Sequence, residues 1–218
     1  MSLIQSLVSI DKSLFLYVNG ANSQFLDGVM YAISGKFTWV PLYISVLYVI
    51  VKQWKKEALW VVLSVAVCIL ISDQVASGVI KNLVHRLRPS HLSSLNGMVH
   101  LVKGYTGGLY GFVSSHASNS VGFAVISSLY FRRKSYALAL GLWALLVSYS
   151  RIYLGVHYPL DVIGGALLGS AAAYISWRLV KIYRPSIFEL EIKGDFYAPI
   201  AVLLISLLLT GVYSMLIF

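Results

Sequence analysis

Apolar residues run along this chain in long blocks, broken by short polar connections. A helix needs about 20 mainly apolar residues to cross a bilayer. Six blocks approach that length: Phe25 to Val51, Ala58 to Ile80, His116 to Phe131, Tyr136 to Ser150, Pro159 to Ile182 and Tyr197 to Phe218. Each is predicted to be helical, because lipid offers no partner for open backbone groups. Ahead of them, Leu3, Ile4, Leu7 and Val8, followed by Leu14, Phe15 and Val18, recur at helical spacing. That spacing predicts a short amphipathic helix within an interfacial segment, residues 1–24, lying on the membrane surface. The expected fold is all-α: one membrane domain over 1–218, a six-helix transmembrane bundle, with a long outer loop at about 81–113.

The connections carry the charge. Lys52, Lys55 and Lys56, then Arg132, Arg133 and Lys134, then Arg178, Lys181, Arg184 and Lys193 follow alternate blocks. The positive-inside rule makes that side cytoplasmic and sends both termini outward. Lys81, Arg86, Arg88 and Lys103 then fall on the outer side, against the rule. Binding an anion there explains the exception.

Composition agrees with a membrane chain. Of 218 residues, 58% are hydrophobic and 11% charged, where a soluble domain has about 25% charged. Mean hydropathy is +0.78. The net charge of +9 raises nucleic acid as a partner, but basic residues placed between apolar blocks fit membrane topology and anionic phosphate better, so no nucleic acid is expected. Met1 to Ile10 lacks the basic start of a signal peptide. Cys68 is the single cysteine and is read as a packing residue. Gly164, Gly165, Ala166, Gly169 and Ser170 permit close helix packing, within the monomer or between chains; the oligomeric state is left open.

Three polar segments fall near the outer ends of predicted spans: Lys81 to Pro89, Val113 to His116, and Ser150 to Asp161. Together they resemble the type 2 phosphatidic acid phosphatase superfamily, which includes vanadium haloperoxidases. Lys81, Arg88 and Pro89 match its first motif. Ser114 and His116 match its second, where Val113 replaces proline and Ser115 replaces glycine. Ser150, Arg151, His157 and Asp161 match its third.

The residue types suit phosphoryl transfer, which needs positive charge around the equatorial oxygens and an in-line nucleophile. Lys81, Arg88 and Arg151 supply charge, and arginine's planar fork binds two oxygens at once. Ser114, the Ser115 amide and the other first free amides of the third span supply hydrogen bonds. The resemblance implies His157 as the nucleophile, forming a phosphohistidine. Asp161, four residues on along one helical face, would hold its other nitrogen, and His116 would serve as acid and then base. Two-metal phosphatase sites need several acidic ligands. Most of Asp11, Asp27, Glu57, Asp73, Glu189, Glu191 and Asp195 lie far from the motifs in sequence, and only Asp161 clearly belongs to the site, so neither metal nor cofactor is expected. His85, His91 and His100 match no motif and are read as loop or interface residues. Arg86 is divided between surface charge and headgroup contact. Asp73 shares a helical face with Ser77 and Lys81, either ordering the site or pairing elsewhere. Lys103 to Gly111 lacks the flanks of a nucleotide loop and is read as a mobile cover.

The implied activity is metal-independent hydrolysis of a lipid phosphomonoester or diphosphate. The expected setting is a bacterial plasma membrane, with the site facing the periplasm or exterior and membrane lipids around the bundle. Undecaprenyl diphosphate is placed slightly ahead of phosphatidylglycerol phosphate, phosphatidic acid and lipid A. A vanadate-dependent haloperoxidase or a lipid-phosphate binder without turnover are the other readings.

Overall fold

The computed structural model describes residues 3–193 and 195–218. Helices account for nearly all its regular structure. Among the described residues there is no strand, only an isolated bridge between Leu87 and Tyr110. In chain order the helices are α1 (Leu3–Gly20), α2 (Gln24–Ile33), α3 (Val40–Trp54), α4 (Ala58–Asp73), α5 (Lys81–Val84), α6 (Ser115–Phe131), α7 (Lys134–Tyr153), α8 (Pro159–Tyr183), α9 (Ser186–Glu189) and α10 (Tyr197–Ile217). A wide-turn segment, Gln74–Ile80, joins α4 to α5. Four helical stretches among the described residues are long and apolar enough to cross a membrane: Phe37–Val84, Lys134–Tyr153, Pro159–Tyr183 and Tyr197–Ile217. The first holds α3 and then, after a reversal at Lys55 where φ is 48°, the run from α4 through α5. The fourth span expected from the sequence gains a turn at its C-terminal end in α7. α6 has 17 residues.

The first expected span, Phe25 to Val51, is not continuous. It breaks after Ile33 and restarts at Val40, with Pro41 in the first turn of α3. Proline suits that position because no backbone donor is needed there. The carbonyls freed at the end of α2 are taken by nearby side chains. Thr38 Oγ1 donates to the Ala32 carbonyl at 2.6 Å, and Trp39 Nε1 donates to the Ile33 carbonyl at 2.8 Å. Ser34, Gly35 and Lys36 interrupt the apolar block where the two helices part.

α6 and α8 form the tightest pair. A Cβ on Gly169 would sit 2.1 Å from the Ser118 carbonyl oxygen, and one on Gly165 would sit 2.4 Å from that of Ser114. The small-residue stripe of α8 is therefore consumed within the monomer. The outer faces of α7 and α10 stay apolar and exposed, as at Leu138, Leu142, Leu145, Leu204 and Leu208. Such faces suit contact with lipid tails.

The two ends of the bundle differ. At one, Arg184 pairs with Glu57 at 3.1 Å, Arg132 donates to the Phe188 and Leu190 carbonyls, and Arg133 donates to that of Ile192. The opposite end gathers both described chain ends and the loop between α5 and α6. There Gln24 Nε2 donates to the Phe218 carbonyl, and the buried Asn19 of α1 donates to the Tyr153 carbonyl at 2.7 Å. The N-terminal helix turns Asp11, Phe15 and Asn19 inward, while Leu3, Ile4, Leu7 and Val8 are exposed. Apolar residues thus lie on both sides of the helix, with Leu16 and Val18 packed beside Phe15 against the protein.

Candidate active site

The first motif sits where the α4–α5 helix ends. His85 caps it in the left-handed region (φ 51°), and the chain then pairs back on the glycine-rich segment. Arg88 N–H donates to the Leu109 carbonyl at 3.1 Å, and Gly111 N–H donates to that of Arg86 at 2.8 Å. Arg88 Nε reaches the Tyr110 carbonyl at 3.1 Å. A Cβ on Gly107 would lie 2.5 Å from Arg88 Nη1, and one on Gly111 would lie 2.7 Å from Asp161 Oδ2. The segment expected as a mobile cover is hydrogen-bonded here to the first motif, and its glycines let Arg88 and Asp161 approach the backbone. Tyr105 from this segment faces inward and lines the central cavity.

The second motif starts α6. Ser114 caps the helix by accepting from Ala117 N–H at 3.4 Å, and its own N–H donates to the Asp161 carbonyl at 2.9 Å. Ser114 is fully buried and does not line the central cavity. Ser115 does. Its hydroxyl accepts from Lys81 Nζ at 2.7 Å and lies 2.8 Å from Ser77 Oγ. The residue standing where the family has glycine thus positions the lysine of the first motif. Val113 is buried against the Gly164 backbone, where a Cβ would come within 2.7 Å of Val113 Cγ1.

The third motif spans the turn from α7 to α8. Ser150 Oγ donates to the Val147 carbonyl within its own helix. Arg151 is buried; its Nη1 donates to Ser34 Oγ and its Nη2 to the Tyr105 hydroxyl at 3.0 Å. His157 lies before α8, so it meets Asp161 through the helix cap and not along a helical face. Its Nδ1 is 3.3 Å from Asp161 Oδ2, which also accepts from Tyr158 N–H at 3.0 Å. Burial, then the charges of Arg88, Arg151 and Lys81, hold the His157 pKa well below its usual range. The neutral imidazole is therefore favoured. Burial, then repulsion from Arg151, also lowers the Arg88 pKa.

Sequence reasoning missed what lies behind this pair. Arg86 Nη1 donates to Asp161 Oδ1 at 2.7 Å, and Nη2 donates to Asp11 Oδ2 at 2.6 Å. Its guanidinium lies 4.2 Å from the centre of the Tyr158 ring. Asp11, from α1, is buried and also accepts from Leu160 N–H at 2.9 Å. Asp11, set aside as remote in sequence, thus comes to the site, and Asp73, read as either ordering the site or pairing elsewhere, lines its cavity. A lone acid on the inward face of an amphipathic helix was the available signal for Asp11.

A cavity of about 860 Å³ joins these parts. Lys81, Arg88, Ser115, His116, Arg151 and His157 line its polar end, together with Ser34, Lys36 and Tyr105. Farther in, the walls are largely apolar, among them Leu47, Val62, Val65, Ala66 and Ile69. Asp161, Arg86 and Asp11 stand behind the wall. His85 packs on Tyr110, His91 faces the Gly107 carbonyl and His100 pairs with Asp27 at 2.8 Å; none of the three lines the cavity. Among the described residues, no three His, Cys, Asp or Glu side chains gather as metal ligands would.

The model of the PAP2 superfamily matches residues 42–184. The chain belongs to that superfamily. It is an integral membrane phosphatase acting on lipids. It is 40% identical over 175 residues to a lipid A 4'-phosphatase of Bacteroides thetaiotaomicron, covering 79% of this chain and 78% of that one. It is 31% identical to an undecaprenyl-diphosphatase of Sulfolobus acidocaldarius, covering 79% of each. The crystal structure of Aquifex aeolicus LpxE superposes with a TM-score of 0.61 at 25% identity, covering 76% of this chain and 93% of that one.

Proposed function

We propose that this PAP2 phosphatase removes phosphate from an envelope lipid at the outer membrane face, through a phosphohistidine on His157 and without a metal. One observation carries the reading: His157, paired with Asp161, shares the polar end of a largely apolar cavity with Lys81, Arg88, Arg151 and His116. In this reading Lys81, Arg88, Arg151 and the first amides of α6 hold the phosphate oxygens. Nε2 of His157 attacks phosphorus as the bond to the lipid oxygen breaks, and His116 protonates that oxygen. His116 then takes a proton from water, which attacks phosphorus, frees phosphate and restores His157. Asp161 keeps the Nδ1 proton in place and stabilises the imidazolium as it forms. The lipid tail lies along the apolar wall, where Leu47, 45% exposed, leaves the side of the cavity open. Similarity to the Bacteroides lipid A 4'-phosphatase supports a lipid A-type phosphomonoester; the Sulfolobus relative supports the second reading, undecaprenyl diphosphate.

The test is phosphate release from lipid A, undecaprenyl diphosphate, phosphatidylglycerol phosphate and phosphatidic acid, in detergent with excess EDTA. Release unaffected by EDTA is expected, with radiolabel from a labelled lipid held on the protein in alkali and lost in acid, as a phosphohistidine behaves. Loss of activity in EDTA sinks the metal-free mechanism.

We further propose six spans, α6 among them, with α1 lying in the outer interface. The separation of the basic end from the site end supports this orientation, and a bacterial plasma membrane with the site on the periplasmic or exterior side fits it. Single cysteines at Lys103 and Arg133 should label from opposite sides of the membrane. Labelling of both from one side refutes the arrangement.

A further inference from the structure

The polar end of the cavity continues inward by one rung that phosphate binding does not use. Ser77 and Ser115 face each other at 2.8 Å beside Lys81. One helical turn deeper on the same two helices, about 5 Å farther in, Asn119 Nδ2 donates to Asp73 Oδ1 at 3.3 Å. Both side chains line the cavity. Asp73 makes no ion pair among the described residues. Asn119 Oδ1 is buried without a hydrogen-bond partner. The rung therefore offers unused acceptors at membrane depth, where an unsatisfied polar group is costly. A ligand bearing donors would satisfy them.

We infer that Asp73 and Asn119 form a headgroup subsite that accepts hydrogen bonds from hydroxyl or ammonium groups next to the scissile phosphate, and so selects a sugar phosphate lipid over a prenyl diphosphate. This inference rests on the reading of the cavity as a lipid phosphate site. The rung lies between the phosphate-binding end and the apolar wall, which is where the group joining phosphate to the tails must sit. A sugar presents donors there. A diphosphate cleaved at its distal phosphorus places its proximal phosphate there instead, an anion facing a carboxylate. Phosphatidic acid presents neither a donor nor a second anion.

The experiment compares kcat/KM on lipid A, undecaprenyl diphosphate and phosphatidic acid for the wild type, Asp73→Leu and Asn119→Leu. Sites built to bond a hydroxyl discriminate strongly against partners lacking it. Asp73→Leu is expected to lower the lipid A rate at least about tenfold relative to phosphatidic acid, and to raise the diphosphate rate relative to phosphatidic acid. Asn119→Leu is expected to lower the lipid A ratio in the same direction, and it stands in if Asp73→Leu fails to bind vanadate as a folded site should. Equal losses on all three lipids, or unchanged ratios, overturn the subsite and leave the phosphatase reading intact. A wild type that releases phosphate from none of the three overturns that reading, and the subsite with it.

Discussion

Replacing His157 with alanine should abolish phosphate release, by on the order of 10⁴-fold or more, as removal of an attacking nucleophile does in enzymes of known mechanism. The side chain is 1% exposed and reaches the cavity wall from the turn before α8. No other imidazole is placed to replace it. His116 lines the same cavity but lacks a carboxylate partner among the described residues. Vanadate should still bind within about tenfold of the wild-type affinity, because Lys81, Arg88 and Arg151 keep their own contacts and phosphate oxygens respond chiefly to those charges. Measured together, turnover and vanadate binding separate an enzyme from a carrier. Residual turnover above about one hundredth of the wild type would falsify the assignment of His157 as nucleophile.

Arg86→Ala should lower kcat by about 10²–10³-fold while KM changes little, although Arg86 does not border the cavity. The guanidinium joins Asp161 Oδ1 and Asp11 Oδ2 at 2.7 and 2.6 Å. Asp161 is fully buried, and its other oxygen is shared between His157 Nδ1 and the Tyr158 amide. Breaking a buried pair by removing one partner strands the other charge. Here the stranded carboxylate is the one that orients the imidazole, so the loss appears in the chemical step. Guanidinium added to the alanine variant should restore part of kcat, and Arg86→Lys should retain more activity than alanine, since one ammonium can serve one carboxylate well but not both. Asp11→Asn, which weakens the outer partner alone, should cost about tenfold. A KM that rises in proportion to the fall in kcat would place Arg86 against the substrate instead, and an unchanged kcat would dismiss the network.

Much of this molecule is readable in one dimension. The expected spans Pro159 to Ile182 and Tyr197 to Phe218 agree with α8 and α10 to within a residue, because hydropathy and capping act over a few neighbouring residues. Lys81, Arg88, His116, Arg151 and His157 reach one cavity, and their types and spacing announce phosphate chemistry before any fold is known. Tertiary structure alone settled the rest. The break between α2 and α3 is marked locally by Ser34, Gly35, Lys36 and Pro41, but no local pattern tells that it sends Ser34 to Arg151. Asp11, Arg86 and Asp161 are separated by 75 residues at each step. Asn119 meets Asp73 across 46 residues. Such contacts depend on which faces of distant helices pack together, and the close approach of α6 to α8 through Gly165 and Gly169 fixes those faces only after the chain has folded.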